Sequence, residues 1–145
     1  MRLTTHFDLA EFTASETASR KGIDNEPPQE LYGHLMRTAE MMEKVRELLG
    51  SPIIITSGYR CMKLNTAVGS SGSSAHILGL AVDFISPSFG SPYHVCKILE
   101  SRVPAWDIDQ LIFEFGSWTH IGLRIREPRH QLLTIDRNGT RGGIG

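Results

Sequence analysis

Residues 74–83, S-A-H-I-L-G-L-A-V-D, constrain this chain more than any other stretch. They set His76 and Asp83 seven residues apart with only small or apolar residues between them, and a second histidine, His120, follows downstream in W-T-H-I-G. Ala81 to Ile85 reads as a strand, and side-chain alternation puts Ala81 and Asp83 on one face, Val82 and Phe84 on the other. Trp118, His120 and Gly122 share a face of a second strand over 118–124 in the same way. If the two strands are antiparallel neighbours, Asp83 and His120 converge, and Gly79 and Ala81 leave room above them. Two imidazoles and one carboxylate then form a three-ligand set for one zinc ion with a fourth position open, the pattern of catalytic rather than structural zinc. The formal charge of such a site is about +1, suited to polarising a carbonyl.

Any one of these side chains alone is ambiguous, since an isolated histidine is commonly a hydrogen-bonded structural residue. The full string is more specific. Ser74-x-His76-x-x-Gly79-x-Ala81-x-Asp83 resembles the S-x-H-x-x-G-x-A-x-D signature of the zinc D-Ala-D-Ala carboxypeptidase family, which includes phage endolysin peptidases and D-Ala-D-Ala dipeptidases and is similar to the metal domain of hedgehog proteins. Trp118-x-His120 resembles the closing W-x-H element, and Ser57-Gly58-Tyr59-Arg60 followed by Asn65 resembles the segment before the signature. The resemblance runs from about His6 to Asp136 and is strongest to the compact, phage-associated branch. It implies one zinc on His76, Asp83 and His120. It also implies peptidoglycan stem peptides as substrate, with D-Ala-D-Ala carboxypeptidase or L-Ala-D-Glu-type endopeptidase action by water activated at the metal.

The remaining residues take roles around that site. Arg60 follows a β-branched run and is the right cation to hold a carboxylate or stabilise a developing oxyanion; the resemblance implies the same role, and a surface salt bridge is the alternative. A proton shuttle is also needed. Glu114 is an acid in an otherwise apolar strand, L-I-F-E-F, where a carboxylate is costly unless exposed or functional. Several relatives place the acid three residues before the last histidine, where this chain has Ser117; the compact branch has a glutamate at the place of Glu114. Asp107 and Asp109 are weaker alternatives. Ser74 either hydrogen-bonds substrate or orients His76, and Trp118 either walls the cleft or packs. His34 and His94 read as structural or exposed. Cys61 and Cys96 are too few for a disulfide framework and read as free thiols.

The surrounding pattern gives an α+β fold: helices packed on one face of a small, mainly antiparallel sheet. Residues 1–27 hold two short helical turns, with capping-box spacing at Asp8–Glu11 and Thr13–Glu16, and Phe7, Leu9 and Phe12 turned to a core. Pro27-Pro28 starts a long helix over 29–49 that Gly50 stops, with Leu31, Leu35, Ala39, Met42, Val45, Leu48 and Leu49 as its core stripe. A buried strand follows over 53–56, then a short helix over 62–68 whose Asn65 braces a flexible, polar loop, 69–74. A helix over 93–102 turns Val95, Ile98 and Leu99 inward. The strands 108–115 and 118–124 form a hairpin through Gly116-Ser117, and 131–135 is a last strand. One domain spans 1–139, and 140–145 is a disordered tail.

Net charge is −1, so nothing favours nucleic acid or an anionic membrane. No apolar run reaches the ~18 residues of a membrane span, and M-R-L-T-T-H-F-D has no apolar signal core. The reading is therefore a monomer made in the cytoplasm, reaching cell wall only through phage lysis machinery or a virion. A second reading, favoured by Ser117, is a catalytically inactive metal-binding wall module.

Overall fold

A computed structural model describes all residues from Met1 to Gly145. Its centre is a six-stranded sheet with β1 Ile54–Ser57, β2 Ala81–Ile85, β3 Gln110–Glu114, β4 Trp118–Gly122, β5 Gln131–Asp136 and β6 Gly139–Gly142 in the order β1-β2-β4-β3-β5-β6. Every pairing is antiparallel except β3 with β5. Helices α1 Leu9–Thr13, α2 Glu16–Lys21, α3 Tyr32–Leu49, α4 Met62–Ala67 and α5 Pro92–Leu99 complete the fold. The α+β architecture follows the sequence pattern.

The core lies on the sheet face carrying Val82, Phe84, Leu111 and Ile121, all fully buried. Leu35, Ala39, Met42 and Val45 of α3 and Val95, Cys96 and Leu99 of α5 join them in one cluster, with Phe7 and Phe12 from the N-terminal segment. Burying a side chain such as Phe84 contributes roughly 2–3 kcal/mol. β2 has neighbours on both edges and cover on both faces, which is why it reads as almost continuously apolar.

Caps set the helix ends. Asp8 and Glu11 form the expected reciprocal capping box of α1. The second cap is Ser15, whose hydroxyl accepts from the Ala18 amide at 3.1 Å; Thr13 cannot serve, because it is the last residue of α1. Gly50 ends α3 with φ +63, the left-handed stop that glycine adopts without cost.

Four further expectations are corrected. β1 is not a buried strand: it pairs only with β2, at the sheet edge, and Ile54 is 52% exposed. A β-branched run signals strand but does not distinguish edge from centre. On α5 it is Cys96 that turns inward and Ile98 that faces solvent. The last residues are not a disordered tail: Asp136-Arg137-Asn138-Gly139 turns the chain back, Gly139–Gly142 pairs with β5 as β6, and Gly145 donates its amide to Thr134 Oγ1 at 2.8 Å. A glycine-rich end carries no apolar period, yet edge pairing uses backbone groups alone. The hairpin loop is one residue longer than Gly116-Ser117, because β3 ends at Glu114: Phe115 and Gly116 both take positive φ, +52 and +64, and the Ser117 amide donates to the Glu114 carbonyl at 2.9 Å.

Candidate metal centre

His76, Asp83 and His120 come from three pieces of structure and meet on the sheet face opposite the core. Asp83 is the direct cross-strand partner of His120 in the β2–β4 ladder. His120 Nδ1 lies 2.8 Å from Asp83 Oδ1. His76 sits on the 3-10 turn Ala75–Leu78, opened by the Ser74 hydroxyl, which accepts from the His76 amide at 3.2 Å, and closed by Gly79 at φ +73. Its Nδ1 lies 2.6 Å from the Gly58 carbonyl oxygen. A carbonyl only accepts, so Nδ1 carries the proton and Nε2 keeps its lone pair. That Nε2 points at the same carboxylate oxygen, 3.4 Å away.

One nitrogen of each imidazole and an Asp83 oxygen lie within 4.8 Å of one another, close enough to hold one metal ion, and all three residues are buried. Burial lowers the His76 pKa, holding the imidazole in its neutral, ligating form. Burial alone would raise the Asp83 carboxyl, but the two imidazoles against it, His120 within hydrogen-bond distance and His76 beside it, outweigh that and keep the carboxyl well below the usual carboxylate range. Neutral imidazole and ionised carboxylate are the states a metal requires. Two nitrogens and one oxygen, with no thiolate, fit one borderline divalent ion such as zinc with a coordination place left over. The Gly58 carbonyl supplies the outer contact that fixes the tautomer and aim of His76.

Gly58 is there because nothing larger fits. A Cβ at this position would stand 2.6 Å from the Phe12 carbonyl oxygen and 2.7 Å from its Cα. The close approach lets the Tyr59 amide donate to Phe12 O at 2.7 Å, just past a register shift of β1 between Ile55 and Ser57. The sequence displayed this glycine between a strand and Arg60 without displaying its carbonyl's task. Gly122 is also crowded, its would-be Cβ standing 3.2 Å from His120 Nε2.

A cleft of about 970 Å³ opens over the three ligands and is walled by Arg60, Ser74, Glu114 and Trp118, among others. Glu114 pairs with Trp118 at the end of the β3–β4 hairpin, and its Oε1 is 3.7 Å from His120 Nδ1. Burial raises its pKa, and Asp83 adds to the effect, while His120, Arg60 and the neighbouring Trp118 indole pull it down. The indole N–H itself is buried and does not meet hydrogen-bond geometry with any acceptor. Trp118 both walls the cleft and packs, its ring 5.5 Å from that of Phe115. Burial lowers the Arg60 pKa against the pull of Asp83 and Glu114, and its buried Nε has no partner. The Arg60 amide donates to the His76 carbonyl at 3.1 Å, tying the two residues together.

Other candidates are placed elsewhere or already occupied. Asp109 reaches the cleft, but both its oxygens are bound by Arg129, the shortest contact being 2.6 Å. Asp107 is exposed, at 3.5 Å from His130. Ser117 is exposed in the hairpin turn, its hydroxyl donating to Phe115 O at 3.0 Å. His34 Nδ1 lies 2.8 Å from the Leu78 carbonyl, and His94 is exposed beside Ser91. Both thiols are free: Cys61 caps α4, accepting from the Leu64 amide, and Cys96 is buried. Asn65 is fully buried and donates to the Ser71 carbonyl at 2.8 Å, bracing the polar loop as its position implied.

The chain matches the family model described as Peptidase M15 over residues 5–122, a span that includes His76, Asp83, His120, Arg60 and Glu114, and it belongs to that family. No curated protein matches the chain.

Proposed function

We propose that this member of the Peptidase M15 family is a zinc-dependent hydrolase of peptidoglycan stem peptides, acting as a D-Ala-D-Ala carboxypeptidase or an L-Ala-D-Glu-type endopeptidase. The reading rests on one observation above the others: a half-buried glutamate with a raised pKa stands 3.7 Å from one of three clustered metal-ligating side chains, inside a cleft. His76 Nε2, Asp83 Oδ1 and His120 Nδ1 would hold one zinc. When bound, the ion supplies Lewis acidity, which makes water more acidic and polarises a carbonyl.

The protein's own groups supply the rest. Glu114 takes the proton of the attacking water and hands it to the amide nitrogen as the C–N bond breaks, a role that suits a carboxyl whose pKa burial raises. Arg60 faces the same space with an unpartnered donor and stabilises the negative charge growing on the carbonyl oxygen. Ser74 holds the turn that carries His76, and Trp118 walls the substrate. Every one of these groups comes from one chain, so a monomer suffices. No helix is long and apolar enough to cross a membrane; phage lysis machinery or a virion would bring the protein to the wall.

Incubating zinc-loaded protein with muropeptides and measuring products by mass spectrometry tests the reading. A new free amine on a stem peptide supports it. Zinc retention with sacculus binding and no new amine supports the inactive wall module instead, the reading that Ser117 favours. Ser117 is turned away from the cleft, whereas Glu114 lines it, and this favours hydrolysis.

A further inference from the structure

The cleft is cationic although the chain is not. Arg60, Arg124, Arg126 and Arg129 line it against Asp83, Asp109 and Glu114, a surplus of one positive charge that a divalent ion would raise to three. The whole chain carries −1. Arg60 feels the charges of Asp83 and Glu114, and Arg124 that of Asp109. Arg129 is spent on Asp109, but neither Arg124 nor Arg126 makes an ion pair, and the single side-chain hydrogen bond of either is a long one from Arg124 to the Glu127 carbonyl, 3.4 Å.

The segment that presents them is nonetheless anchored at both ends. Arg37 on α3 donates to the Arg124 carbonyl at 2.9 Å. At the other end, Arg129 grips the buried Asp109 through its amide and its guanidinium, with donor–acceptor distances of 2.6 to 3.2 Å. A pinned segment that holds two unpaired guanidiniums over a cleft is preorganised for an anion, and planar guanidinium matches carboxylate best.

We infer that Arg124 and Arg126 form a carboxylate-recognising rim that makes the cleft select peptides bearing free carboxylates near the bond held over the metal ligands. The inference rests on the peptidase reading for the kind of ligand, but its test does not need turnover. The probe is a stem pentapeptide with free carboxylates, compared with the same peptide fully amidated. Binding is measured by calorimetry to zinc-loaded protein carrying Glu114→Gln, which removes the proposed proton shuttle. The free-acid peptide should bind about tenfold more tightly, as expected for a charge-assisted contact that is partly solvent-screened. The preference should shrink from low salt to about 0.5 M salt. Arg124→Gln with Arg126→Gln should erase the preference while leaving affinity for the amidated peptide within about twofold.

Equal affinity of the two peptides for the parent protein would overturn the inference without recourse to any arginine variant, so misfolding of a variant cannot shelter it. A preference that survives both arginine substitutions would overturn it as well. Absence of cleavage by the unsubstituted enzyme, with the binding preference intact, would sink the hydrolase reading and leave this one standing.

Discussion

Gly58→Ala probes the link between packing and metal binding at its tightest point. The new methyl group would be placed 2.6 Å from Phe12 O, where ordinary contact begins at 3.4 Å, so something must yield by about 0.8 Å. The obstructing atoms are backbone, not a flexible side-chain tip. Two outcomes are open to the chain. If the end of α1 retreats, the Tyr59–Phe12 backbone hydrogen bond of 2.7 Å is lost. If residue 58 retreats, its carbonyl leaves His76 Nδ1, now 2.6 Å away. Overpacking of this kind costs about 1–3 kcal/mol, and a lost backbone bond adds about 1 kcal/mol. At about 4 °C per kcal/mol for a domain of this size, the melting point should fall by roughly 5–15 °C. Loss of the outer contact to His76 should weaken zinc by about 10- to 100-fold in a chelator-competition titration. Gly33→Ala is the control, since that glycine has nothing within 4 Å of its would-be Cβ and ordinary φ, and alanine there should be neutral or slightly stabilising. If Gly58→Ala melts and binds zinc like Gly33→Ala, the reasoning is refuted.

Glu114→Gln should lower kcat by about 10²- to 10⁴-fold and retain zinc within a few-fold, checked by stem-peptide hydrolysis beside metal analysis; full activity would remove Glu114 from the chemistry. His120→Ala should abolish stoichiometric zinc. EDTA should lower the melting point of the unsubstituted protein but not of His120→Ala, because an ion at 100 times its dissociation constant stabilises by about 2.7 kcal/mol. Burial raises the Asp109 carboxyl, but the Arg129 bonds outweigh it and leave the pKa lowered in the folded chain. Its stabilisation is therefore complete above the ordinary carboxylate range and disappears as pH falls below it. Urea midpoints measured from pH 6 down to pH 3 should show this loss, with a shallower fall in Arg129→Ala. Burial pushes the Cys96 thiol up to about 11, so native protein should expose one thiol to Ellman's reagent, Cys61, and two only when unfolded.

How far the sequence could be read follows from which interactions leave a periodic trace. Alternation placed Asp83 and His120 on one face, and their strands are direct neighbours in register. The long helix and its core stripe were equally legible, because burial of α3 repeats at helical spacing. What had no period was missed. The Gly58 carbonyl on His76 is a backbone contact 18 residues away in the chain. The edge position of β1 depends on which strand pairs with it, and a run of isoleucines does not record that. The bond from Asp109 to Arg129 joins two loops 20 residues apart, so Asp109 looked like a spare acid when it is a structural anchor. That Arg124 and Arg126 make no ion pair depends on which acids the fold brings near them, and the Asp109 that shares their cleft is taken by Arg129.

The same alternation ties stability to chemistry. Val82, Phe84, Leu111 and Ile121 point to the core, while Asp83, Glu114 and His120 occupy the intervening positions on those strands and point to the cleft. A slip of one residue between β2 and β4 would send Asp83 into the apolar layer and Val82 to the metal face. Burying that carboxylate away from the two imidazoles would cost several kcal/mol on top of the lost packing. The register that closes the core is therefore the register that brings Asp83 and His120 together, and no separate device is needed to hold one opposite the other. His76 is the exception. It comes from a 3-10 turn outside the ladder, which explains why it alone depends on a hydroxyl cap, a left-handed glycine and a carbonyl from the edge strand's exit to reach the same point.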